Sequence, residues 1–323
     1  MRSPKFIIYN CQLLIKHMDY SLLKELQSIQ APAGDEAPLR DFIIDYVEKN
    51  KANWKVQPEL IYGDEFQDCL MLKFGTPRTA IFAHLDSIGF TVRYGKELVK
   101  LGGPRLLNGI KLVGEDSKGA IETELVVDEE TKAISYKLDR EIDRGTNLTF
   151  KPNWREDEDY IQNCYMDNRL GMWNALQVAE TLEDGVIAFS CWEETGGGSV
   201  GYLGKHIYEN WGVRKALISD ITWVTPGVPH GKGVAISMRD SGIPRKSYIR
   251  KIIEIAKNNK IKFQLEVEDA GGSDGNSLQK SPYPFDWCFV GAPEDNVHTP
   301  DEKVHKEDIA DMVKLYKVLM RDL

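Results

Sequence analysis

The stretch GVIAFSCWEETGGG, residues 185–198, is where the fold is decided. An apolar run of strand length stops at two adjacent carboxylates, Glu193 and Glu194, and then at glycines 196–198. The segment before it, NRLGMWNALQVAETLED (168–184), has the spacing of an amphipathic helix, with Gly185 as its stop. The alternation continues downstream. GYLGKHIYENW (201–211) predicts a helix, KALISDITW (215–223) a strand, and IPRKSYIRKIIEIAKNNK (243–260) a helix. IKFQLEV (261–267) and FDWCFVGAP (285–293) predict strands, and KEDIADMVKLYKVLMRDL (306–323) a closing helix. Repeated helix–strand alternation implies an α/β sheet with helices on both faces.

Upstream, YSLLKELQSIQ (20–30) and DEAPLRDFIIDYVEKN (35–50) carry helical periodicity, with Asp35 a candidate N-cap. TAIFAHLDSIGFTV (79–92) reads as one or two buried strands. Between about 95 and 160 the texture changes: KLVGEDSKGAIETELVVDEETKAISYKLD (111–139) alternates short β-like runs with turn residues. The expected organisation is one α/β domain from residues 1–94 plus 160–323, with a β-rich domain, 95–159, inserted in its middle.

The chain has 323 residues, 42% hydrophobic and 28% charged, the balance of a globular protein. A net charge of −9 argues against non-specific nucleic-acid binding, which needs Lys and Arg to neutralise phosphates. The five cysteines are odd in number and form no C-x-x-C, so a reducing cytoplasmic setting fits better than a disulfide framework. Residues 1–17 read as a short extension rather than a signal peptide, with Met18 an alternative start. No run reaches the roughly 18–20 apolar residues of a membrane span.

The candidate chemistry sits where apolar runs end. His84 closes TAIFAH, with Asp86 two residues on; Asp220 follows KALIS; His298 lies in the loop after FDWCFVGAP; Asp167 opens a helix. Singly, each has an ordinary reading: Asp167 as an N-cap, Asp220 as a turn former, the Glu pair as a solvated loop. Together they place acids and imidazoles at the carboxyl ends of several strands, where open α/β sheets gather ligands. Several acids in one crevice need a compensating cation.

The order AHLDSIGF, MDNRLGMWNAL, EETGGG, ISDIT, GGSDGN and VHTPDEKV resembles the TET-type, glutamyl or deblocking aminopeptidases of the di-zinc peptidase clan. The resemblance runs from about residue 20 to the C-terminus. It implies a three-layer, phosphorylase-like α/β catalytic domain with a small inserted β-domain, acting on peptides and assembling as a homo-oligomer through the insertion. It implies that Asp167 bridges two divalent metal ions, with His84 and Asp220 completing one site and Glu194 and His298 the other. Zinc suits these ligands, with cobalt or manganese as substitutes. Glu193 would be the general base toward a metal-bridging hydroxide, Asp86 would orient His84 through its second ring nitrogen, and GGSDGN (271–276) would line the substrate pocket. A cis Asp167–Asn168 peptide is also implied. The pattern departs from the family at Ser87, where an acid is usual, and at Thr195 with its glycine triplet. Competing readings are a related metallo-carboxypeptidase or deacylase, a glycoside hydrolase, or a catalytically silent scaffold.

Overall fold

The computed structural model describes residues 18–323. The extension expected at residues 1–17 lies outside the described residues. The centre of the molecule is a run of four mutually parallel strands in the order Gly185–Ser190, Ala80–His84, Lys215–Trp223 and Asp286–Asp295. All but their ends are buried, as expected of strands covered on both faces. Antiparallel strands extend the sheet on either side, to eleven in all among the described residues. Register brings the chemistry to one edge: Ser190 pairs with His84, and Asp220 lies beside Gly291.

Helices Met166–Ala179, Lys246–Asn258 and Lys306–Asp322 form one packed group against the sheet, and Val200–Trp211 with Asp274–Lys280 form another. The result is a three-layer α/β architecture. Met166–Ala179 differs from the amphipathic expectation. Apart from half-buried Asp167 and Gln177 it is buried throughout, because the sheet and two neighbouring helices enclose it. Its approach to the sheet depends on Gly171, where an added Cβ would lie 2.0 Å from the Ser219 carbonyl oxygen. Asp35 is not the cap of its helix either. The N-cap of Ala37–Asn50 is Glu36, while the Asp35 N–H closes a turn onto the Pro32 carbonyl.

A second, wholly antiparallel sheet of six strands runs from Gly89 to Phe150 and has its own apolar cluster, including Phe90, Leu112, Leu125, Leu148 and Phe150. The segment 79–92 therefore divides between the two sheets, as Ala80–His84 and Gly89–Val92. Strand Arg155–Glu156 belongs to the large sheet. Cys69, Cys164, Cys191 and Cys288 are buried free thiols. No described helix is long and apolar enough to cross a membrane.

Candidate metal centre

The site begins with the Asp167 carboxylate, whose two oxygens face two different imidazoles. Oδ1 lies 3.0 Å from His84 Nε2, and Oδ2 lies 3.3 Å from His298 Nε2. Asp220 Oδ2 is 3.6 Å from the same His84 nitrogen, and Glu194 Oε2 is 3.3 Å from the same His298 nitrogen. Two groups of ligand atoms result, His84–Asp167–Asp220 and Asp167–Glu194–His298, each within 4.8 Å and both sharing Asp167. Residues separated by more than two hundred positions converge because parallel strands deliver their carboxyl ends to one rim. The Asp167–Asn168 peptide is cis. Tyr165, Trp192 and His298, at φ near +64°, hold uncommon left-handed conformations beside or within the site.

The adjacent glutamates diverge. Both line the cavity, but the Glu193 side chain, 18% exposed, has Oε2 4.0 Å from His84 Nε2, whereas that of Glu194, 3% exposed, has Oε2 3.3 Å from His298 Nε2. The separation arises in a single 3₁₀ turn, Glu193–Thr195, rather than in an extended chain. Asp86 holds that turn. Its Oδ1 accepts the backbone N–H of Glu193 and its Oδ2 that of Glu194, both at 3.0 Å. This contact to the turn stands beside the role expected of Asp86 toward His84. The nearer partner of His84 Nδ1 is the Asp86 backbone carbonyl at 3.0 Å, with the carboxylate at 3.5 Å. The acid therefore fixes the Glu193–Glu194 backbone first and the imidazole second.

Glu302 is fully buried, and nothing in the sequence pattern points to a role for it. Its Oε2 accepts the Met166 N–H at 2.6 Å and its Oε1 the His298 N–H at 3.0 Å, so one side chain joins the segments carrying Asp167 and His298. Glu294 is another buried acid near the centre, with neither oxygen hydrogen-bonded. Neither shows a spacing signal: a carboxylate that binds backbone, like Glu302, can stand almost anywhere in sequence, and Glu294 lies inside an apolar strand. In GGSDGN, Gly271 and Gly272 line the cavity, Ser273 caps the helix Asp274–Lys280, and Asp274 accepts the Ser190 hydroxyl.

The electrostatics describe acids short of positive charge. Burial pushes Glu194 up to about 7, reinforced by the negative charge of Asp167. Burial also lifts Asp220 and Glu193 well above the carboxylate range. His298 would be lowered by burial, but its hydrogen bonds to Asp167 and Glu194 outweigh this and push it up to about 11. Glu194 Oε1 is buried without a hydrogen-bond partner. Two imidazoles and three carboxylates, one of them with an unpartnered oxygen, fit a pair of divalent cations. The surrounding cavity measures about 420 Å³.

The model of the M42 glutamyl aminopeptidase family matches residues 111–315. A protein of Acetivibrio thermocellus named "Putative aminopeptidase" is 25% identical over 328 residues, covering 92% of this chain and 96% of its own. The aminopeptidase APDkam598 from the archaeon Desulfurococcus kamchatkensis superposes with TM-score 0.80 at 19% identity, covering 97% of this chain and 96% of that one. The Pyrococcus horikoshii TET1 peptidase, described as assembling into a tetrahedron or a large octahedral shell, gives TM-score 0.79 at 22% identity, covering 93% and 98%. With the family model spanning well over half its length, the chain belongs to the M42 glutamyl aminopeptidase family.

Proposed function

We propose that the protein is a two-metal aminopeptidase that removes N-terminal residues from peptides. The observation that carries this reading is the Asp167 carboxylate with one imidazole at each oxygen, 3.0 and 3.3 Å away. His84, Asp167 and Asp220 would hold one divalent ion and Asp167, Glu194 and His298 the other, zinc by ligand type. Bound there, the ions would supply Lewis acidity to the scissile carbonyl and to the attacking water. Glu193, which faces the cavity with Oε2 4.0 Å from His84 Nε2, takes the proton of the attacking water and returns it to the departing amine. Asp86 keeps Glu193 and Glu194 in their divergent directions through the two backbone bonds. The acid-rich cavity favours a free α-ammonium over a blocked terminus.

The same reading treats the sheet from Gly89 to Phe150 as an inserted domain through which copies associate in the cytoplasm. A monomer by light scattering at working concentration overturns the association. The test of activity is metal analysis with hydrolysis of aminoacyl p-nitroanilides and their N-acetylated forms. About two metals per chain, chelator-sensitive cleavage and inert acetylated substrates are expected. Equal cleavage of acetylated substrates overturns the aminopeptidase reading.

A further inference from the structure

The cavity continues beyond the ligands along a wall that the proposed hydrolysis does not use. Asp240, Glu266 and Glu268 line it, with Trp223 and Phe289. No lysine or arginine lines it, and among the described residues these three acids make no ion pair. Asp240 is 8% and Glu266 4% exposed. Asp240 accepts the Gly242 N–H and Glu266 accepts the Thr222 hydroxyl, so each is oriented by a neutral donor, and the neighbouring Arg239 offsets the Asp240 charge only in part. Burial pushes Glu266 up to about 7 and raises Asp240 as well. Trp223 is 40% exposed, unusual for a large aromatic side chain beside a catalytic cavity.

Position gives these acids a scale. Thr222 is two residues beyond Asp220 on one strand, so both face the same side at a spacing of about 7 Å. The Thr222 hydroxyl touches Glu266. The acidic wall thus begins about one extended lysine side chain from the metal ligand Asp220. Apolar rings between the two ends suit a methylene stem and can also face a cation.

We infer that the site selects peptides whose N-terminal residue is lysine or arginine, its stem lying on Trp223 and Phe289 and its cationic head on Asp240, Glu266 and Glu268. The inference rests on the aminopeptidase reading and adds its substrate class. An N-terminal glutamate, despite the family's name, meets like charges there.

The experiment compares lysine, arginine, norleucine, leucine and glutamate p-nitroanilides on the metal-loaded protein. Norleucine has the same α-amine and a stem of similar length without the ε-ammonium. The expected kcat/KM for lysine exceeds that for norleucine by about tenfold or more, as for a partly desolvated charge-assisted contact. Glu268→Gln and Glu266→Gln each lower the lysine-to-norleucine ratio, and a general loss of turnover cancels in that ratio. Norleucine cleaved as well as lysine, or a ratio unmoved by both variants and by Asp240→Asn, overturns the inference while leaving the aminopeptidase reading in place. Calorimetry with free L-lysine and L-norleucine separates the two claims. Tighter lysine binding without cleavage of any substrate supports the pocket and overturns the peptidase.

Discussion

The Glu302 carboxylate accepts the backbone N–H of His298 at 3.0 Å and, through its other oxygen, that of Met166 at 2.6 Å. One buried acid thus sets the separation of two segments that each carry a proposed ligand. In Glu302→Gln the amide NH₂ must face one of these N–H donors, so one clamp is lost. We expect metal affinity to fall about 10–100-fold, the range for groups that orient ligands. Chelator competition measures it, and an unchanged affinity refutes the clamp.

Asp86→Asn tests the turn that spreads the two glutamates. An amide oxygen serves one of the two backbone N–H groups and leaves the other facing an NH₂. Turnover should fall about 10–100-fold with the fold intact by circular dichroism. Wild-type turnover would mean that the 3₁₀ turn holds itself.

Glu193→Gln removes the proton acceptor without removing a proposed ligand. Loss of about 10²–10⁴ in kcat is expected for a general base, with metal content unchanged by elemental analysis. If the variant loses metal in proportion to activity, Glu193 is a ligand and the assignment of the two glutamates must be exchanged.

A stability prediction concerns the second sheet. The hydrogen bond from Arg140 to Asp116, outweighing desolvation, holds this carboxylate down at about 2, below its ordinary 3.8. A pKa lowered by folding stabilises the fold above the unfolded value, and the contribution is lost as pH falls through the folded one. Asp116→Asn should therefore lower Tm at pH 7, and the gap from wild type should close between about pH 4 and pH 2. Melting curves of both proteins across acid pH decide this, and a gap that does not change with pH refutes it.

Much of the architecture is legible because buried parallel strands write themselves as continuous apolar runs. KALISDITW is observed as the strand Lys215–Trp223 without adjustment. Acids and histidines where such runs stop are likewise conspicuous, and the structure brings His84, Asp167, Glu194, Asp220 and His298 together. Other features leave no periodic trace. Gly89–Val92 is as apolar as Ala80–His84, so sequence cannot say that the two belong to different sheets. In the wall of Asp240, Glu266 and Glu268, Asp240 follows the strand Val234–Arg239 and the two glutamates lie in or just beyond its neighbour Phe263–Val267, so their convergence depends on pairing between the two strands. Asp86 shows a motif's limit: the spacing locates the acid, while its backbone partners at 193 and 194 emerge in three dimensions.

The loop at the edge of the small sheet reaches the candidate metal site. The Gly103 carbonyl oxygen lies 3.1 Å from His298 Nδ1, and the Arg105 N–H donates to the His298 carbonyl. A trimmed chain lacking residues 89–150 would keep every proposed ligand, yet its second imidazole would lose the anchor that decides which ring nitrogen turns inward. The sheet from Gly89 to Phe150 thus helps to seat His298, and on the proposed reading a change in that sheet would be felt at the candidate ligand.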